Sequence, residues 1–185
     1  LIFEFLNIYR LRLNDYILAN PINKKNEPSV PTPYFCLNII KKKLFKNKFI
    51  FIDFGCGKGR VIDFFKNNNQ IKKIIGIESN INLKTKLSLK KNNKINFYFN
   101  DCKSSIFINF LSKRFKNERL VLYFYHPFSE KILNKIIKIF LQKNFKKIKI
   151  IILGKIFVNS DILVKYKLKT NTLHRHLNIY DYKNH

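Results

Sequence analysis

Three of the chain's five glycines fall within residues 55–59, in a stretch from Phe49 to Arg60 that reads F-I-F-I-D-F-G-C-G-K-G-R. Glycine costs conformational entropy on folding and is kept where the backbone must take positive φ or let another group come close. The glycines follow an apolar run interrupted by Asp53 alone, and Val61, Ile62, Phe64 and Phe65 after them recur at helical spacing. That order predicts a buried strand, a glycine turn and a helix start. Of the eleven acids in the chain, Asp53, Glu78 and Asp101 stand in or just after three successive apolar runs, where a carboxylate can accept hydrogen bonds from paired donors. A fourth run leads into Tyr125-His126-Pro127-Phe128. Imidazole is the side chain whose ordinary charge change falls near neutrality, so His126 offers a base or an acceptor. The glycine spacing separates two classes of ligand. A dinucleotide fingerprint, G-x-G-x-x-G, needs its third small residue where this chain has Arg60. The glycines fall instead as G-x-G-x-G behind an acid two residues before the first.

The elements that must position these residues follow from periodicity. Phe5, Ile8, Tyr9, Arg12, Leu13, Tyr16 and Ile17 predict an amphipathic helix over residues 1–19. Pro21, Pro28, Pro31 and Pro33 then exclude a helix or central strand over 20–33, and helical spacing resumes over 34–44. Strands are predicted over 49–54, 73–78, 95–99, 119–125 and 147–153, and helices over about 59–68, 80–91 and 129–142, the last with Ser129 as N-cap. The tail alternates over 163–169 and 177–182 about Asn171 and Thr172, predicting a closing hairpin. Strands and helices in this alternation predict an α/β fold with a doubly wound, mostly parallel sheet. The expected organisation is an N-terminal helical and proline-rich lead-in over 1–46 and one domain over 47–185. In such a sheet, ligands bind outside the carboxyl ends of the strands.

F-I-D-F-G-C-G-K-G-R, I-I-G-I-E-S-N, F-N-D-C and L-Y-F-Y-H-P-F together resemble motifs I to IV of the class I S-adenosylmethionine (SAM)-dependent methyltransferases, over residues 49–128. With the lead-in V-P-T-P-Y and the Y-x-P-F element, the chain looks similar to a group of bacterial members distantly related to Dot1-type and other seven-strand lysine methyltransferases. The resemblance implies a Rossmann-like sheet of seven strands, the last antiparallel, with SAM as cofactor. It also implies that Glu78 accepts from both ribose hydroxyls and Asp101 from the adenine amino group. Gly55, Gly57 and Gly59 would lie against the amino-acid part of the cofactor, whose ammonium Asp53 would orient. Cys56 and Ser79 belong to the same motifs and to the same cofactor-binding set, and Thr32 to Tyr34 would fold over the cofactor. Tyr125, His126, Pro127 and Phe128 would wall the methyl group. Many amino-group methyltransferases carry Asn or Asp before Pro-Pro-aromatic at this point, where this chain has His126 and a single proline. The acceptor implied is a protein or small-molecule amine.

A formal net charge of +26 invites a nucleic-acid partner, yet only six of the 37 basic residues are Arg, and the Lys are spread through 41–43, 72–73, 90–91 and 146–149. Solvated helix faces and loop ends account for such a distribution more simply than a groove does. An RNA methyltransferase using the Lys-rich surface is the second reading, and a non-catalytic SAM-binding or interaction module is the third. Cys36, Cys56 and Cys102 have no C-x-x-C spacing, so neither a disulfide framework nor a zinc site is expected, and a cytoplasmic setting is. No apolar run approaches the roughly 20 residues of a membrane span.

Overall fold

The computed structural model describes residues 31–126, 128–143, 145–174 and 176–183; the predicted helix over 1–19 and the chain up to residue 30 lie outside them. The chain divides between Leu44 and Phe45 into two units. In the first, α1 (Tyr34–Lys43) begins directly after Pro33, whose carbonyl accepts from the Leu37 amide at 3.2 Å. It ends on Lys41, Lys42 and Lys43, cations at the negative end of the helix dipole.

The second unit runs β1 (Phe49–Phe54), α2 (Arg60–Phe65), β2 (Ile71–Glu78), a 3₁₀ turn (Ile81–Leu83), α3 (Lys84–Ser88), β3 (Ile95–Phe99), α4 (Ser105–Arg114), β4 (Arg119–Tyr125), α5 (Glu130–Leu141), β5 (Lys147–Leu153), α6 (Ser160–Lys165), β6 (Lys169–His174) and β7 (Leu177–Lys183). The strands form one seven-stranded sheet in the order β3-β2-β1-β4-β5-β7-β6. β1 to β5 pair in parallel, and β7 runs antiparallel to both β5 and β6. The doubly wound, mostly parallel sheet expected from the sequence, with its last strand antiparallel, is the architecture found.

Strands buried on both faces read as continuous apolar runs, and every residue of β1 is buried. One face turns Ile50, Ile52 and Phe54 into a cluster with Leu122 and Phe124 of β4 and Ile150 and Ile152 of β5, beneath Phe107 and Leu111 of α4 and Leu133 and Phe140 of α5. Phe54 and Phe124 stack there at 4.5 Å. On the other face Phe51 meets Phe65 of α2 at 5.0 Å and Tyr123 of β4 at 5.9 Å. Each such side chain contributes about 1.5–3 kcal/mol when fully buried. β5 also buries Lys149, whose Nζ lies 2.6 Å from Asp181 Oδ1 directly opposite on β7 and 5.3 Å from the Phe45 ring centre. The carboxylate offsets the cost of burying an ammonium.

Several boundaries differ from expectation. Residues 163–165 belong to α6 and not to a strand, because Asn159 caps the helix by accepting from the Asp161 amide at 2.8 Å and Ile162 seats in the core. Asn171 and Thr172 lie within β6, and the hairpin turns between His174 and Leu177. The predicted helix over 80–91 is broken into a 3₁₀ turn and the short α3, where Leu87 is the buried residue. α2 ends at Phe65 and β2 begins at Ile71, ahead of the predicted start at 73. α4 was not expected from the periodicity. Among the described residues no helix is long and apolar enough to cross a membrane.

Candidate functional site

Chain order reverses between β1 and β4, and an open parallel sheet offers a crevice beside such a reversal, at the carboxyl ends of its strands. The register sets Phe54 opposite both Ile77 and Phe124, and Glu78 opposite Phe99. The strands therefore end level. Along that edge stand, in order, Asp101 after β3, Glu78 closing β2, the glycine loop after β1 and Tyr125-His126 at the end of β4. With neighbouring strands about 4.8 Å apart, the row spans roughly 14 Å.

The loop is built from backbone that L side chains rarely adopt: φ is +81° at Gly55, +50° at Gly57 and +80° at Gly59. Gly55 and Cys56 both donate their amides to the Ile77 carbonyl at 2.9 Å. Glu78 completes the attachment, Oε2 accepting from the Gly57 amide and Oε1 from the Asn80 amide, each at 2.8 Å. Each carboxylate oxygen keeps a further lone pair on this half-buried side chain. Lys90 Nζ donates to the Lys58 carbonyl at 2.9 Å and to Asp63 Oδ2 at 2.5 Å, fastening the loop to α2. A Cβ at Gly59 would lie 3.2 Å from Leu87 Cδ2, but one added at Gly55 would meet nothing within 4 Å, so the loop is open at Gly55. The underside is the reverse. A Cβ at Gly76 of β2 would lie 2.7 Å from Ile62 Cδ1 and from Phe97 Cδ1, and 2.9 Å from Cys56 Sγ.

Asp53 is 2 % exposed, and its Oδ2 has no hydrogen-bond partner among the described residues. Burial, and after it the Glu78 charge, pushes its carboxyl up to about 8. In the free protein at neutral pH the group is therefore predominantly protonated. Burial also raises the Cys56 thiol well above its ordinary range, with Asp53 and Glu78 adding to the effect, and the sulfur packs inward over Gly76. Asp101 is exposed and closes an Asx turn, its Oδ1 accepting from the Lys103 amide at 2.8 Å. Ser79 is exposed beside Glu78.

At the end of β4 the chain bends at His126, whose φ of +41° is left-handed and whose amide donates to the Leu153 carbonyl at 2.8 Å. Its exposed ring stands 4.7 Å from that of half-buried Tyr125, and Phe128 packs on the core below. Pro127 lies outside the described residues. Thr32 is buried and belongs to the N-terminal unit. Bonds thus join Gly55, Cys56, Gly57, Gly59 and Glu78 into one assembly beside Asp53 and Ser79, with Asp101, Tyr125, His126 and Phe128 on the same sheet edge. Sequence reasoning missed Gly76, Asn80 and Lys90 as supports. An isolated glycine inside a strand signals close approach of another group, and Gly76 was legible on that ground. Among the described residues no three potential metal ligands cluster.

No protein-family model and no curated protein matches the sequence. Solved structures match it. The methyltransferase domain of bacterial CtHen1 is 12% identical with a TM-score of 0.56, over 80% of this chain and 97% of that one. A SAM-dependent methyltransferase from Anabaena variabilis is 15% identical with a TM-score of 0.55, over 80% of this chain and 83% of that one. TrmK of M. capricolum, in complex with S-adenosyl-homocysteine, is 16% identical with a TM-score of 0.51, over 82% of this chain and 70% of that one. At such identities the shared property is the fold, and strand order, the single antiparallel strand and the glycine loop after β1 agree in assigning it: the chain has the class I methyltransferase fold.

Proposed function

We propose that the chain is a SAM-dependent methyltransferase acting on an amine of a protein or small molecule. The observation that carries this reading is Asp53: a buried carboxyl with one oxygen unpartnered among the described residues, beside a glycine loop that is open at Gly55 and braced by Glu78. A cationic group arriving over the loop supplies the missing partner, and the ammonium of SAM is such a group. The remaining residues fit the same molecule. Glu78 has lone pairs left for the two ribose hydroxyls, and the exposed Asp101 accepts from the adenine amine. Gly55 and Gly57 present backbone without a Cβ, and Ser79 lines the ribose side. Cys56 supports the loop from below. S-adenosyl-homocysteine bound to TrmK, on the same fold, adds support.

Bound SAM supplies an electrophilic methyl on a sulfonium, so the chain has to align the acceptor, exclude water and receive a proton. Tyr125, Pro127 and Phe128 wall the methyl, and His126 takes the proton of the acceptor nitrogen. The test is incubation of a cell lysate with the purified protein and methyl-labelled SAM, followed by mass spectrometry. A labelled amine is expected, with His126→Ala lowering its yield by about 10²–10⁴ while cofactor affinity holds. Cofactor binding without label in any protein or small-molecule fraction would make the chain a binding module instead.

A further inference from the structure

Among the described residues β3 is an edge strand, with β2 on one side and no strand on the other. Beside it lies a cavity of about 310 Å³, whose lining includes Lys73, Lys91, Arg114, Asn96, Tyr98 and Phe115, and, among the described residues, no acid. Neighbouring cations are neutralised, Lys72 by Glu118 and Lys90 by Asp63, but among the described residues no carboxylate pairs with Lys73, Lys91 or Arg114. Arg114 instead lies 6.0 Å from the ring centres of Phe110 and Phe115. On α4 the outward stripe Ile106, Phe110, Arg114 runs at four-residue spacing, with Ile106 86% and Phe110 46% exposed. Phe110 meets Tyr98 of β3 edge-on at 6.2 Å, which makes stripe and cavity one continuous surface. Unpaired cations in a concave surface call for an anion, and the exposed Phe110 ring, with half-buried Tyr98 beside it, calls for flat, stackable groups. A polynucleotide strand with unpaired bases offers both along its length, whereas an acidic peptide offers the first alone.

We propose that the groove between β3 and α4 binds a single-stranded polynucleotide, with Lys73, Lys91 and Arg114 on its phosphates and Tyr98 and Phe110 against its bases. Lys73 precedes Glu78 by five residues on β2, roughly 16 Å along the strand, so the groove is separate from the glycine-loop edge. It stands whether or not the chain transfers methyl groups.

Fluorescence anisotropy with a labelled oligo(U) of about twelve nucleotides, within the span one such surface covers, tests this without any cofactor. Wild-type protein is expected to bind with marked salt dependence. The reversal Lys73→Glu, Lys91→Glu, Arg114→Glu should weaken binding more than about tenfold and flatten the slope of log affinity against log salt by about 2, at roughly 0.7 for each phosphate no longer neutralised. Lys155→Glu, Lys165→Glu, Lys169→Glu, the same charge change towards the opposite edge of the sheet, should cost less than about threefold if local pairing outweighs long-range attraction. Phe110→Ala should weaken binding with the slope unchanged. Should the reversal fail to fold, Lys91→Gln with Arg114→Gln, both exposed, should flatten the slope by about 1.4. Equal losses in the two reversal variants, poly-glutamate binding as tightly as oligo(U) with Phe110→Ala silent, or no wild-type binding at low salt would each overturn the proposal. Oligo(dT) in place of oligo(U) tells whether the sugar is read.

Discussion

Asp53 couples the site to pH in a direction fixed by its environment. Its folded-state value is raised from 3.8 to about 8, so between those limits the native state holds a proton that the unfolded chain has released. Stability from this group is fully present below about 4 and lost as pH rises through about 8. Melting temperature followed across that window should therefore fall with rising pH, and Asp53→Asn should flatten the fall. An ammonium paired to Asp53 favours the ionised form, so SAM binding near pH 7 should release close to one proton, seen as a dependence of calorimetric heat on buffer ionisation enthalpy and absent in Asp53→Asn. His126 shows a different kind of tension. A left-handed φ of +41° at a non-glycine residue costs on the order of 1 kcal/mol. If the residue served the turn alone, glycine would serve better. His126→Gly should therefore hold or raise the melting temperature while methyl transfer falls, a split that a purely structural histidine would not give.

Among the elements, Gly76 in β2 lets α2 and the glycine loop close on the sheet. Gly76→Ala forces Ile62, Phe97 and Cys56 apart and should cost about 1–3 kcal/mol, read by denaturant unfolding, and should weaken cofactor binding with it because Cys56 carries the loop. On β5, Asp181→Asn leaves Lys149 without its counter-ion. Asp181 is 34% exposed at its side chain, so the expected cost, about 2 kcal/mol, falls between that of surface pairs and that of fully buried ones. How far these elements could be read from the sequence followed burial. β1, β4 and β5 were legible to the residue, because interior parallel strands leave uninterrupted apolar runs, and the edge strand β3 was legible on Ile95, Phe97, Tyr98 and Phe99. α4 was not, because exposed Ile106 and Phe110 add apolar residues to its outer face and erase the period that Phe107, Ile108 and Leu111 would make. α6 was misread because Lys165-Tyr166-Lys167-Leu168-Lys169 alternates like a strand while Asn159 caps a helix just before it. In the site, residue types and spacing identified the acids and glycines, but Glu78's bonds to Gly57 and Asn80 depend on how the loop folds back over β2.

At the scale of the whole sheet, strand order collects Asp101, Glu78, the glycine loop and His126 on one edge, and among the described residues it leaves β3 open beside a cationic and aromatic groove. The net charge of +26 acts over longer range, drawing anions to the entire surface, and its effect fades within a Debye length of about 8 Å at physiological salt. Fold alone does not guarantee chemistry, so the central claim rests on the loop, Glu78 and Asp53 taking SAM. Isothermal calorimetry of SAM and S-adenosyl-homocysteine with the wild-type protein, Glu78→Ala and His126→Ala tests it most directly, with NAD as the contrast ligand. Both SAM and its demethylated product should bind the wild type and NAD should not. Glu78→Ala should lose roughly 2–3 kcal/mol of binding, through the charged acceptor removed and the Gly57 amide set loose, and His126→Ala should bind as the wild type does. Binding of NAD without SAM, or loss of SAM binding in His126→Ala with Glu78→Ala unaffected, would contradict that claim.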